Sequence, residues 1–203
     1  MGDTSVMRRL GVIALGVWLC VGLAVGGLLL LRHVGAMPAP ARSDVRLRDA
    51  IAAWLPDHSG RWRVVHIMYR SCPCSRRTIE HLITSPRPAG LDELVLMVDD
   101  EGHPGSDDAR LRAVGFRVEV ITPAVLHDRF HVEAAPVLVV ARPDHELAYV
   151  GGYNRSKQNP AYEDVAIIDA AGQRDAPAPL PVFGCATSDR LARQLDPLGL
   201  RKW

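Results

Sequence analysis

Arg61–Leu82 reads RWRVVHIMYRSCPCSRRTIEHL, and the parsing of this stretch decides the fold. Trp62 to Tyr69 is dense in Val, Ile and aromatic residues, the composition of a buried strand. It passes through Ser71-Cys72-Pro73-Cys74-Ser75 into Arg76, Arg77, Thr78, Ile79, Glu80, His81 and Leu82, which read as a helix with Ser75 as the expected N-cap. Two thiols therefore fall at a strand-to-helix turn. Helix amides and the macrodipole favour negative charge there. A cysteine so placed, Cys72 above all, is expected to ionise more easily than a free one, and the thiolate is the reactive form. Arg70, Arg76 and Arg77 add positive charge nearby, with Arg70 expected at the solvent surface.

Strands alternate with helices on both sides of this turn. Ser43 or Asp44 is placed to cap a helix through Leu55, with Val45, Leu47, Ile51, Ala52 and Leu55 as its apolar stripe. Asp57 to Gly60 reads as a turn. Glu93 to Val98 is a short continuous apolar run, as in a parallel sheet. Ser106 to Val114 is expected to be a helix and Phe116 to Ile121 a strand. Pro136 opens the β-branched run Val137 to Val140, a position where a missing N–H costs the ladder nothing. Glu146 to Tyr153 is expected to pair with that run through the turn Arg142 to His145. Ala161 to Ala171 suggests a short helix, Ala176 to Pro181 an extended segment, and Asp189, Leu191, Ala192, Leu195 and Leu198 a last helix. The whole predicts βαβ units in an α/β domain.

Leu10 to Leu31 carries no charge over twenty-two residues, enough to cross a bilayer as a helix. The expected organisation is thus a tail at 1–9, a span at 10–31, an exposed Pro/Ala/Gly-rich linker at 32–42 and a domain at 43–203 with a C-terminal extension. Arg8 and Arg9 precede the span, but Arg32, Arg42, Arg46 and Arg48 follow it, so the charge count alone does not orient the chain. A formal net charge of +1 and the lack of a concentrated basic face argue against nucleic-acid binding. Of four cysteines, Cys20 lies in the apolar run, leaving Cys72, Cys74 and Cys185. An odd set with two thiols almost adjacent is a poor structural framework and suits working chemistry. Such thiols also suit an oxidising compartment.

The order of strand, cysteine pair at a helix start, strand, helix and Ala135-Pro136 entering a hairpin resembles the thioredoxin superfamily over Arg61 to Tyr153. The resemblance implies a mixed central sheet flanked by helices, with Pro136 in a cis bond beside the cysteines. With its apolar span, the chain is similar to exported thiol–disulfide oxidoreductases tethered to bacterial membranes, including the TlpA-like and RedB-like groups. It departs from them in having only Pro73 between the cysteines, where the family has two residues. Either Cys72 takes the family's first, attacking position, or Ser71 does and Cys74 takes the second. On the first alignment Cys72 is the exposed nucleophile and Cys74 resolves the mixed disulfide, with a small, strained Cys72–Cys74 ring. Cys185 is the alternative resolving partner.

The resemblance implies exported protein thiols or disulfides as substrates, a partner dithiol protein, an inner-membrane location with an extracytoplasmic domain, and no organic cofactor. Two other readings use the same thiols. A copper-binding chaperone would take Cys72 and Cys74 as ligands, with His131 as the best third. A single-cysteine peroxide reductase would want Thr or Ser and Pro before its cysteine, and Tyr69-Arg70-Ser71 matches poorly. His66 is expected in the core, His81 on a helix surface, Trp54 and Trp62 as core anchors, Tyr69 in strand-end packing, and Asp99 and Asp100 at a solvated turn.

Overall fold

A computed structural model describes residues 3–54, 60–157, 161–172 and 177–196, in two units divided between Gly35 and Ala36. The first unit is one helix, α1 (Asp3–Val34). Its segment Met7–Gly27 has mean hydropathy 2.2 over 21 residues and no burial. At about 1.5 Å per residue it is long and apolar enough to cross a hydrocarbon core of about 30 Å.

The second unit is organised by β1 (Arg63–Tyr69), whose seven residues are all buried. That explains the continuous rather than alternating apolar run, because both sheet faces are covered. β2 (Asp92–Val98) pairs parallel to β1, and β3 (Arg117–Ile121) parallel to β2. β5 (Val137–Ala141) runs antiparallel to β1 on its other side, and β6 (Leu147–Gly151) antiparallel to β5. The order is β3-β2-β1-β5-β6. Alternation along β1 sends Val65 and Ile67 to one apolar layer, with Leu47, Ile51 and Phe130, and Val64 and Met68 to the other, with Ile79, Leu82 and Ile168. Cys72, Cys74 and Cys185 all belong to the first layer.

Asp44 is the cap of α2 (Val45–Trp54): its Oδ1 accepts from the amides of Arg46 and Leu47 at 2.9 and 3.2 Å. Leu47 and Ile51 are buried as expected, whereas Val45 is exposed; Leu55 and the turn at 57–59 lie outside the described residues. α3 (Pro73–Thr84) begins before the expected cap. Cys72 is its N-cap and Pro73 its first residue, the position that tolerates a missing N–H. Ser75 is buried in the first turn, and its Oγ accepts the Tyr69 amide at 3.0 Å, tying strand end to helix start.

α4 (Ser106–Ala113), α6 (Asp164–Ala171) and α7 (Asp189–Leu195) fall where helices are expected; Leu198 is outside the described residues. A helical segment not expected from the sequence follows β3. Thr122 Oγ1 accepts from the Val125 amide, α5 (Pro123–Val125) follows, and a π-helical turn (Leu126–Phe130) buries Leu126 and Phe130. Its i→i+5 period fits no 3.6-residue template. The expected exposed linker is also shorter than 32–42. Met37 is buried, and its amide donates to the Val182 carbonyl at 2.7 Å, so the chain joins the domain from that residue.

Candidate active site

Each expected site residue is delivered by a different device. β1 ends in a turn in which the Cys72 amide donates to the Tyr69 carbonyl at 2.9 Å, and α3 starts there. Across from it, β4 (Ala134–Ala135) pairs antiparallel with β7 (Cys185–Ala186), setting Ala135 opposite Cys185. The Ala135–Pro136 bond is cis. Cys72 Sγ lies 3.8 Å from the Ala135 carbonyl oxygen, and its thiol also interacts with those of Cys185 and Cys74. Cys72, Cys74, Pro136 and Cys185 thus form one cluster.

Their exposures reverse an expectation. Cys72, expected as the exposed nucleophile, is 0% exposed, and Cys185 is 8% exposed. Cys74 is half-buried, and Arg77 Nη2 donates to its sulfur at 3.5 Å. As N-cap, Cys72 is buried and makes no side-chain cap bond, and the Ser75 amide lowers the pKa of its thiol by less than Cys185 raises it. Cys74 also lines a narrow, partly open crevice with Arg77, Pro136, Lys157, Tyr162 and Phe183.

The electrostatics follow. The Cys185 interaction and burial hold the Cys72 thiol above its ordinary value, opposite to the shift expected of a helix tip. Cys185 is shifted down, chiefly because Cys72 hydrogen-bonds to it, with the Lys157 charge assisting. Cys74 is pushed well up by Cys72 and by burial. The first proton to leave the cluster is therefore that of Cys185. Absorbance at 240 nm should titrate one thiolate ahead of the other two. Cys185→Ser should remove that step, and an unaltered titration would contradict the assignment.

One contributor was not legible in the sequence. A Cβ at Gly184 would sit 1.8 Å from the Ala135 carbonyl oxygen and 2.8 Å from Pro136 Cδ. Backbone approaches this closely only where there is no side chain. Gly184→Ala should displace β7 from β4, costing about 1–3 kcal/mol by overpacking and removing the early Cys185 titration; a urea midpoint equal to wild type would refute this.

The remaining candidates are scaffold. Arg70 is held by Asp99 at 2.8 Å and by buried Asp108 at 3.0 Å, rather than facing solvent. Tyr69 Oη donates to Asp100 at 2.9 Å. Trp54 stacks edge-on to Phe130, and His66 is buried. His81 is more than a surface residue, since its Nε2 meets Asp164 Oδ1 at 2.8 Å. His131 Nε2 faces Arg46 Nη1 at 3.2 Å instead of joining the thiols. Among the described residues, no group of three or more His, Cys, Asp or Glu is arranged to hold a metal ion.

A mixed sheet with parallel β1, β2 and β3 and an antiparallel β5–β6 hairpin, a thiol pair at the helix following β1, and a cis-proline leading β5 beside it define a thioredoxin-like fold. No protein-family model matches the chain, and no curated protein does. Among solved structures it is similar to an uncharacterized conserved protein from Geobacillus kaustophilus, with a TM-score of 0.52 and 18% identity over 76% of this chain and 90% of that one. At that identity the likeness is one of fold. A hypothetical protein from Sinorhizobium meliloti 1021 aligns with a TM-score of 0.44 and 14% identity over 76% of this chain and 91% of that one. StoA from Bacillus subtilis aligns with a TM-score of 0.36 and 11% identity over 47% and 75%.

Proposed function

We propose that the chain is a thiol–disulfide oxidoreductase, held to a bacterial inner membrane by its N-terminal helix, with its domain on the extracytoplasmic side. It exchanges disulfides with exported proteins through Cys72 and Cys74, and a partner dithiol protein supplies or removes the electrons. The observation that carries this reading is the half-buried Cys74 thiol at the start of α3, interacting with the buried Cys72 thiol and lining one crevice with cis-Pro136.

Cys74, the thiol that lines the crevice, attacks a substrate disulfide as its proton passes to the leaving sulfur, a mixed disulfide forms, and Cys72 releases the product thiol. Arg77 at the Cys74 sulfur supports negative charge there when the proton leaves. Pro136 walls the crevice in which the mixed disulfide forms. The apolar span Met7–Gly27 supports anchoring, and working thiols support an oxidising side of the membrane.

The test is redox equilibration of the full chain in detergent micelles against glutathione, with thiol counting by mass. A two-electron couple lost in Cys72→Ala is the expected result. No couple, with tight retention of Cu(I) instead, would replace this reading with the copper-chaperone one. A phosphatase reporter fused after Trp203 reads the side: active for an extracytoplasmic domain, inactive for a cytoplasmic one.

A further inference from the structure

We propose that the three thiols of the domain act as an ordered relay, in which Cys74 meets the substrate, Cys72 releases it, and Cys185 then takes over the bond. The stable oxidised form is Cys72–Cys185, not Cys72–Cys74. This rests on the oxidoreductase reading above and assigns the residue that completes its chemistry.

Access sets the order of the first two steps. Cys72 presents no surface to solvent and Cys185 little, while Cys74 lines a partly open crevice. Exchange requires a sulfur to approach a disulfide from outside, and only Cys74 offers that. Position sets the third step. Cys72 interacts with both of the other thiols. Cys72 from α3 and Cys185 from β7 converge on the same residue. The first places its sulfur 3.8 Å from the Ala135 carbonyl, and the second sits opposite Ala135 in the β4–β7 ladder. That ladder continues through the Thr187 amide, which donates to the Glu133 carbonyl at 2.7 Å. Gly184 lets it close on Pro136. A Cys72–Cys74 bond, by contrast, must close a small ring containing the rigid Pro73, and strained disulfides are the more easily attacked.

The steps balance. Cys74 loses its proton and attacks one sulfur of the substrate disulfide. A Cys74–substrate bond forms, the substrate S–S bond breaks, and the first substrate sulfur leaves with that proton. Cys72 loses its proton and attacks the Cys74 sulfur. A Cys72–Cys74 bond forms, and the second substrate sulfur leaves with that proton. Cys185 then loses its proton and attacks the Cys72 sulfur; the Cys72–Cys185 bond forms, the Cys72–Cys74 bond breaks, and Cys74 takes the Cys185 proton. The substrate has gained two electrons and two protons, and Cys72 and Cys185 have lost two electrons. The last step moves no net electrons. A partner dithiol resets the protein by the same steps in reverse, entering at Cys74.

The test oxidises the full chain in detergent micelles with glutathione disulfide, quenches with acid, alkylates free thiols and maps bonds by mass spectrometry. Wild type should show Cys72 linked to Cys185 and Cys74 alkylated. Cys74→Ser should still reach that bond, but at least tenfold more slowly. Cys185→Ser should stop at Cys72–Cys74, with its equilibrium against glutathione shifted at least tenfold toward the reduced form. A wild-type bond between Cys72 and Cys74 with Cys185 alkylated would overturn the relay while leaving the oxidoreductase reading intact. An unchanged equilibrium in Cys185→Ser would do the same. Failure of that reading is a different result: no bond between any pair and no reduction of glutathione disulfide, in wild type or variants.

Discussion

Replacing Cys72 with alanine is expected to turn the protein from a catalyst into a trap. Cys74 keeps its place at the crevice and its contact with Arg77, so attack on a substrate disulfide proceeds. Release does not, because the buried thiol that interacts with Cys74 is gone. Cys185 is no substitute, since the thiol it hydrogen-bonds is that of Cys72. The expected trace is a burst of one equivalent of product thiol followed by turnover lowered by about 10³-fold or more, the scale seen when a reacting group is deleted. Intact mass should show the substrate attached through a bond that dithiothreitol reverses. Cys74→Ser should give neither burst nor adduct. Removing one sulfur from a packed site costs about 1 kcal/mol, too little to explain such a loss by unfolding. Steady turnover near the wild-type rate in Cys72→Ala would remove Cys72 from the chemistry.

β1, β2, β5 and β6 were legible because their runs are apolar on both faces, and β3 because buried Val118 and Ile121 are set among exposed Arg117 and Glu119; both patterns are local. The thiols at a helix start and the hairpin opened by Pro136 were legible from local patterns too, whereas Pro136 lying beside the thiols followed only from the family resemblance. Which sulfur faces solvent was not. That depends on the burial of Cys72 as N-cap and on the approach of β7, and β7 comes from a two-residue strand far along the chain after a proline-rich stretch. A two-residue strand carries no periodicity to read. Sequence therefore left Cys185 undecided, and contacts across the fold bring it to Cys72. The bond between Met37 and Val182 escaped notice likewise, since a Pro/Ala/Gly-rich segment looks like a tether whether or not one methionine in it finds the core. Charge pairs such as Arg70 with Asp108 are equally invisible, because solvated and buried arginines are spelled alike.

The same blindness hid the buried ionic chain whose loss should cost most in stability. Asp164, at the start of α6 and with its side chain 1% exposed, accepts from His81 on α3 and pairs with Arg87. Arg87 also reaches Glu93 of β2 at 3.1 Å, Glu93 meets His66 of β1 at 3.3 Å, and His66 meets Tyr153 at 2.8 Å. Four elements and two loop residues are thus joined on the sheet face away from the thiols. Asp164→Ala leaves Arg87 and His81 short of a partner in a largely dry setting. Breaking such a pair from one side costs about 3–5 kcal/mol, or a fall in melting temperature of roughly 6–20 °C for a chain of this size. The pH profile should carry a matching signature. Hydrogen bonds and charge from His81 and Arg87 hold the Asp164 carboxyl far below the usual carboxylate range despite its burial, and Glu93 is lowered by His66 and Arg87. Both have depressed folded values, so their stabilisation is present above about pH 4 and is lost as pH falls further. Burial lowers His66 as well, so stability declines earlier, as pH drops below about 6.5, the unfolded histidine value. Urea midpoints of the full chain in micelles should therefore fall in two stages on acidification, with the lower stage smaller in Asp164→Ala. Glutathione equilibria read at neutral pH and low urea should stay near wild type, because the chain braces α3 from behind without touching a sulfur. A melting temperature within about 2 °C of wild type would show that Arg87 is satisfied by Glu93 alone.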